Sequence, residues 1–301
     1  MIRIGVDFGG SKIEAAALDP AGRFAARIRA PNPGGYEAAL QTVRQLVKAA
    51  EAEAGPCARI GVGMPGSPSP RTGLVRNANS TWLNGRPFAE DLGLTLDRPV
   101  RLANDANCLA LSESADGAAA GAGVAFAAIL GTGCGAGVVV DGRLVEGANG
   151  IGGEWGHTPL PWATPEEAAD ADCWCGLSGC LETYLSGPGL ERDYARVEGT
   201  HLTTLEIVEA ARAGEPRTAA AIDRYIDRLA RGLAVIANVI DPDVIVLGGG
   251  MSNIDALYPG LTERIARYAF SDLFETPVRP AMHGDSSGVR GAAWLWPLET
   301  R

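Results

Sequence analysis

The sequence is poor in several things that whole classes of protein need. Its 26 Lys and Arg are outnumbered by 36 Asp and Glu, a formal charge of -10 over 301 residues. No segment gathers the basic surface that nucleic-acid backbones require, which argues against a general nucleic-acid binder, and no nucleic-acid partner is expected. No run approaches the ~20 apolar residues of a membrane-spanning helix, and the opening Met-Ile-Arg-Ile-Gly-Val reads as a strand without the apolar core of a signal peptide. A cytoplasmic protein with no membrane partner is expected. The Walker A pattern G-x-x-x-x-G-K-[ST] is also absent. Aromatic residues are only 6%, yet 46% hydrophobic and 21% charged residues give the balance of an ordinary globular chain. Acidity does not exclude a small nucleotide, because backbone N–H groups and a bound metal can grip phosphates locally.

Glycine is abundant, at 40 residues well above the usual ~7%. The length predicts two lobes of roughly 100–180 residues each. Apolar patterning predicts strands at 2–7 and 13–18 around Phe8-Gly9-Gly10-Ser11-Lys12, a helix over 36–54, and a strand over 59–64 ending on Pro65-Gly66-Ser67. A further strand, Pro99 to Ala103, runs into a helix over about 106–120. The plan then restarts with a strand at 124–130, the glycine turn 131–137, Val138-Val139-Val140 and the tight turn Asp141-Gly142. A helix over about 216–240, the strand 243–247, Gly248-Gly249-Gly250, another helix and a short apolar helix with Trp294 and Trp296 follow. The expected class is α/β, with a duplicated β-meander plus helices: a smaller lobe over 1–117, joined by a C-terminal helix at 288–301, and a larger lobe over 118–287. An irregular Pro- and Cys-rich insertion at 157–182 breaks the pattern.

Each glycine cluster follows an apolar strand, where α/β folds collect ligands and where a missing Cβ lets backbone approach a phosphate. Residues 131–137 are not a dinucleotide fingerprint, since they lead into a strand and not a helix. Two readings stand for each cluster: a tight turn, or part of a phosphate site clasped from two lobes. Asp7, beside Gly9-Gly10, either holds Mg2+ through water or makes a local turn bond.

In Asn104-Asp105-Ala106-Asn107 a strand becomes a helix, so Asp105 leaves the carboxyl end of the sheet. Phosphoryl transfer needs a carboxylate that accepts the proton of the attacking hydroxyl, and Asp105 suits that role. Asn104 or Asp105 equally suits a helix N-cap.

Cys57, Cys108 and Cys134 are scattered among apolar neighbours and read as buried hydrophobes. Cys173, Cys175 and Cys180 crowd into one stretch, with His157 upstream. Three thiolates and one imidazole match a closed tetrahedral Zn2+ site of structural type. Glu154 and Glu182 flank those ligands, and two readings stand for them: ordinary solvated acids, or carboxylates fixed near the metal that, with the second nitrogen of His157, hydrogen-bond sugar hydroxyls. His201 and His283 have no evident partner in the sequence and are expected at the surface.

These motifs together resemble the ROK family of the actin-like ATPase superfamily over essentially the whole chain. They are Asp7 to Lys12, Gly63-Met64-Pro65-Gly66-Ser67, Leu102 to Asn107, Gly131-Thr132-Gly133, Glu154-Trp155-Gly156-His157, Cys173 to Glu182 and Leu247 to Gly250. The resemblance implies a two-lobed actin-like (ribonuclease H-like) fold and ATP-dependent phosphorylation of a hexose with Asp105 as base. It further implies Asn104, Glu154, His157 and Glu182 on the sugar, with Gly66 and Asn79 as additional contacts. Asp7, Gly9, Gly10, Ser11, Lys12, Gly131, Thr132, Gly133, Gly248, Gly249 and Gly250 would serve ATP and Mg2+, and His157, Cys173, Cys175 and Cys180 would bind Zn2+. Ser11 stands where the family usually has threonine, and the hydroxyl survives. The family is commonly homodimeric, and the kinase branch is implied because no helix-turn-helix precedes the first strand. Residues 77–85 and 284–296 look more like fructose- and mannose-using members than the glucokinases, so a fructokinase that makes the 6-phosphate and also accepts mannose is expected. The alternatives are a glucokinase or N-acetylhexosamine kinase of the same family, a non-catalytic sugar sensor, and a zinc hydrolase, the last disfavoured by a filled coordination shell.

Overall fold

Strand β1 (Arg3–Phe8) pairs antiparallel with β2 (Lys12–Leu18), which pairs antiparallel with β3 (Phe24–Pro31). Because helices cover both faces, β1 and β2 are nearly continuous apolar runs. Helix α1 (Tyr36–Ala54) buries Tyr36, Ala39, Leu40, Val43, Leu46, Val47 and Ala50, the recurrence of one helical stripe. Strands β4 (Ile60–Met64) and β7 (Val100–Asn104) then extend the sheet in parallel, giving the order β3-β2-β1-β4-β7. The small hairpin β5 (Ser67–Pro68) and β6 (Val75–Arg76), with α2 (Phe88–Leu96), fills the β4–β7 connection. Helix α3 (Asp105–Asp116) follows β7 directly.

This computed structural model describes residues 2–169 and 171–296, and the chain divides into two units. The first takes the chain up to Gly121, then Gly142–Gly152, which carries β10 (Arg143–Leu144), and the segment from His283 on, which carries α10 (Ser287–Trp294). The second takes Ala122–Asp141 and Gly153–Met282. Of the C-terminal helix expected over 288–301, residues 297–301 lie outside the described residues.

Helix α10 lies against α3, β1 and β4, and glycine permits the approach. A Cβ on Gly291 would sit 1.8 Å from the Cys108 carbonyl oxygen, and one on Gly61 1.8 Å from that of Ala292. Part of the glycine excess is therefore helix-on-sheet packing. Gly291→Ala is expected to cost about 3 kcal/mol or more, because the clash is with backbone and no side chain can yield; a urea titration reads this as a lower midpoint at constant slope. Helix α3 stops sooner than its apolar pattern suggests, where the Glu113 carboxylate takes the Ala118 N–H at 2.8 Å. His283, expected to be unpartnered at the surface, instead lies 2.8 Å from the Asp116 carboxylate and is largely buried.

In the second unit β8 (Val124–Leu130) pairs antiparallel with β9 (Cys134–Val140) and parallel with β11 (Val244–Gly248), which pairs parallel with β12 (Val278–Pro280). The order β9-β8-β11-β12 repeats β2-β1-β4-β7 in position and direction. Helices α5 (Glu182–Leu185), α6 (Gly187–Glu198), α7 (Thr204–Arg212) and α8 (Pro216–Ile240) supply the core around Tyr225, Leu229 and Leu233. The irregular insertion does hold one turn of helix, α4 (Pro165–Ala168), started by a Thr164–Glu167 capping box. Buried Arg228 and Arg231 on α8 grip Glu167 at 2.8 and 2.6 Å, and Arg231 also donates to the Pro161 and Trp162 carbonyls. Two arginines thus fasten the insertion to α8. After Gly250 the expected helix is replaced by 3-10 turns at Gly250–Asn253 and Asp255–Leu257 before α9 (Leu261–Ala266). There the Ser252 hydroxyl bonds the Gly249 carbonyl at 2.7 Å and competes with helix continuation. No described helix is long and apolar enough to cross a membrane.

Candidate functional site

Parallel pairing aligns Asp7 with Gly63, Gly63 with Ala103 and Met64 with Asn104, so Asp7 and Asn104-Asp105 emerge at the same carboxyl end of the parallel strands. The two readings of the strand-to-helix junction separate here. Asn104 is the N-cap, its side chain accepting the Asn107 N–H at 2.8 Å. Asp105 is the first helical residue, takes the Ala106 N–H at 2.8 Å and is exposed. Solvent reaches it, yet the protein around it withdraws enough water to raise its pKa, against the lowering effect of the Ala106 N–H. Asp7 is pushed up to about 6 by burial, then by the charges of Glu14 and Asp105, with Lys12 and Arg29 acting the other way. Glu14 stands directly opposite Asp7 across the hairpin and is buried between Arg27 and Arg29.

The Gly9–Lys12 turn is closed by the Gly9 N–H on the Lys12 carbonyl (3.0 Å) and braced by Asn32, whose side chain donates to the Gly9 carbonyl at 2.7 Å and whose N–H donates to Ser11. Gly10, Ser11 and Lys12 are left exposed. Gly66 has φ +75, and a Cβ there would meet the Arg76 carbonyl at 2.4 Å, so this loop accepts only glycine. Asn79 is exposed in the following loop, where the Asn84 amide clamps both backbone groups of Ala78 at 2.9 Å.

In the second unit, the Gly131 N–H closes the Gly131–Gly133 turn on the Gly133 carbonyl (3.0 Å), with Thr132 exposed. Gly249 packs on the backbone of Leu130, and the space a Gly131 side chain would fill reaches the Gly250 nitrogen at 3.9 Å, so turns 131–133 and 248–250 come together. They are joined by Gly187, whose N–H donates to the Gly131 carbonyl at 2.8 Å at the start of α6. Sequence reasoning missed Gly187. Its signal was Ser186-Gly187-Pro188-Gly189, a capping serine before a helix that opens on glycine and proline. Gly288, which lies against the Asp7 carboxyl group at the start of α10, was likewise missed.

Segment 153–157 is docked on β9. A Cβ on Gly156 would lie 1.8 Å from the Cys134 carbonyl oxygen, and the buried Trp155 donates to the Gly135 carbonyl at 2.8 Å. Glu154 is exposed and His157 half-buried on either side of this anchor. Glu182 is placed at the same turn, accepting the Cys134 N–H at 3.0 Å through Oε2 and the Trp174 indole N–H at 2.5 Å through Oε1.

His157, Cys173, Cys175 and Cys180 converge with all four donor atoms within 4.8 Å of one another. Cys173 Sγ is 3.6 Å from His157 Nδ1, and Cys175 Sγ is 3.6 Å from Cys180 Sγ. Tetrahedral Zn2+ with bonds of about 2.3 Å to sulfur and 2.0 Å to nitrogen sets neighbouring donors about 3.5–3.8 Å apart, so the residues fit the metal. Burial and the Cys175 contact push the Cys180 thiol up to about 12; a divalent cation reverses that by stabilising the thiolate. Since Nδ1 faces the cluster, Nε2 of His157 is the nitrogen directed elsewhere. The scattered Cys57, Cys108 and Cys134 are buried.

The family model described as "ROK family" matches residues 3–299. The N-acetyl-D-glucosamine kinase of Photobacterium profundum is 38% identical over 97% of this chain and 98% of its own length. That of Salmonella paratyphi C is 39% identical with the same coverage. Among solved structures, the ROK hexokinase from Thermus thermophilus is similar with a TM-score of 0.89 and 35% identity over 99% of both chains. A ROK family glucokinase from Streptomyces griseus, in complex with glucose and AMPPNP, has a TM-score of 0.76 and 26% identity over 97% of this chain and 98% of its own. The expected closeness to fructokinases is therefore wrong: the curated relatives at 38–39% identity are N-acetyl-D-glucosamine kinases. The segments behind that expectation have structural roles that constrain them regardless of the sugar. Residues 287–294 are packed on α3 and the sheet, and within 77–85 Asn84 braces Ala78 while Trp82 packs edge-on to Phe8.

Proposed function

The chain belongs to the ROK family, and from that premise we propose that it is a sugar kinase moving the γ-phosphoryl group of ATP to the 6-hydroxyl of a hexose. N-acetyl-D-glucosamine is the first substrate of this reading, because relatives with that activity in their names match nearly the full length at 38–39% identity. Glucose is the second, favoured by the similarity to a hexokinase and to a glucokinase holding glucose.

The observation that carries the reading is the division of labour at 104–105. Asn104 caps the helix, and Asp105 keeps an exposed carboxylate of raised proton affinity at the strand end. A base of that kind accepts the proton of the attacking hydroxyl as the phosphoryl group transfers. The residues proposed for sugar hydroxyls are Asn104, with Gly66 and Asn79, in the first unit, and Glu154, His157 Nε2 and Glu182 in the second. The turns at 9–12, 131–133 and 248–250 would offer N–H groups to ATP phosphates. Asp7, a partly buried carboxylate crowded by Glu14 and Asp105, fits a residue that holds Mg2+ through water. Mg2+, when bound, neutralises charge on the β- and γ-phosphates. The Zn2+ site braces Glu182 and His157 and takes no chemical step. A homodimer in the cytoplasm completes the proposal.

The test is ADP release coupled to a reporter, run across N-acetylglucosamine, glucose, N-acetylmannosamine, mannose and fructose. The highest kcat/KM is expected with N-acetylglucosamine, then glucose. Hexoses differ in which buried polar group they leave unpaired, a difference large enough to rank them by orders of magnitude. Failure to turn over any of these hexoses would end the reading.

A further inference from the structure

Between two of the zinc-cluster residues, Cys173 and Cys175, stands a tryptophan that needs explaining. Trp174 is 68% exposed, an unusual setting for so large an apolar ring, yet it is not loose. Its indole N–H donates to Glu182 Oε1 at 2.5 Å, and its ring meets the His157 ring edge-on at 5.0 Å between centroids. The turn that carries it is closed by the Cys173 N–H on the Leu177 carbonyl at 2.9 Å and the Gly176 N–H on the Cys173 carbonyl at 3.0 Å.

The other oxygen of Glu182 accepts the Cys134 N–H of the glycine turn. The carboxylate is therefore held at both ends, by the zinc loop through Trp174 and by the turn through Cys134. A Cβ on Gly133 would lie 2.8 Å from Glu182 Oε2, so glycine there is what lets the carboxylate in. A glutamate without the indole would keep one tether and regain rotation about its side chain. An indole is also the side chain whose flat apolar face suits the C–H face of a sugar ring while its N–H stays engaged.

We propose that Trp174 is a positioning residue for the sugar, fixing the Glu182 carboxylate and presenting its exposed ring to the bound hexose. This rests on the kinase reading above, with Glu182 as a sugar contact. It also gives the zinc loop a specific purpose, since the metal fixes residues 173 and 175 and the residue between them aims the glutamate.

The experiment compares Trp174→Ala and Trp174→Phe with the wild-type chain, each first shown to carry one zinc per chain. Steady-state turnover is measured separately against hexose and against ATP, using whichever hexose the wild type prefers. Losing a hydrogen bond to a charged group together with the ring contact predicts a rise in hexose KM of about tenfold or more for Trp174→Ala. The KM for ATP should stay within about twofold. Trp174→Phe, which keeps a ring but no N–H, should fall between. Sugar added without ATP should change the tryptophan fluorescence of the wild type, and that change should be lost in Trp174→Phe. An unchanged hexose KM in zinc-replete Trp174→Ala, or equal rises for hexose and ATP, would overturn the assignment while leaving the kinase reading intact. A wild-type chain that turns over no hexose overturns both.

Discussion

Asp105→Asn should lower kcat by about 10²–10⁴-fold, the usual contribution of a positioned general base, and leave the melting temperature and the KM for hexose nearly unchanged. The expectation of intact folding comes from the junction itself. Helix α3 is capped by Asn104 and not by Asp105, and an asparagine at 105 still offers an oxygen to the Ala106 N–H that Asp105 accepts. The substitution removes only the ability to take a proton. Asn104→Ala is the contrasting control, since it removes the cap and should cost about 1 kcal/mol of stability. An Asp105→Asn enzyme within a few-fold of wild type would show that the hydroxyl loses its proton by another route.

The second large effect concerns the metal. Cys180→Ser should reduce bound zinc from one per chain to almost none and lower kcat/KM for hexose by about 100-fold or more, with a lower melting temperature. Cys180 is the most deeply buried residue of the cluster, and a coordinated structural metal contributes folding free energy directly. The loss is expected to reach the residues proposed for the sugar because His157 is itself in the cluster and Glu182 is two residues beyond Cys180, tethered to Trp174. Metal analysis of the purified wild type and variant checks the claim. Full activity in a zinc-free variant would reduce the cluster to an ornament of the loop.

Much of this was legible in the sequence because it is local. The helices 36–54 and 216–240 are written in apolar spacing, and the four zinc-cluster residues declare themselves by type in a short stretch. The place of Asp105, though not its proposed role, was legible because a strand runs straight into a helix there. What stayed hidden depends on contacts between distant segments. Gly291 looks like any glycine in a short helix until the Cys108 carbonyl is found against it, and His283 looks solitary until Asp116 comes within 2.8 Å. Gly187 gained meaning only when its N–H was seen on the Gly131 carbonyl. The identity of the hexose failed for a related reason. The segments that suggested fructose are held by packing, so their residues report on the core beneath them and say little about the sugar.

Everything proposed for the site turns on transfer of a phosphoryl group from ATP to the 6-hydroxyl of a hexose. Phosphorus and proton NMR of the product formed from ATP, Mg2+ and N-acetyl-D-glucosamine reads that transfer directly. One ADP is expected for each phosphomonoester formed, with phosphorus coupled to the protons on C6 and no product from Asp105→Asn on the same timescale. ADP formed without a sugar ester, or an ester on any other oxygen, would contradict it.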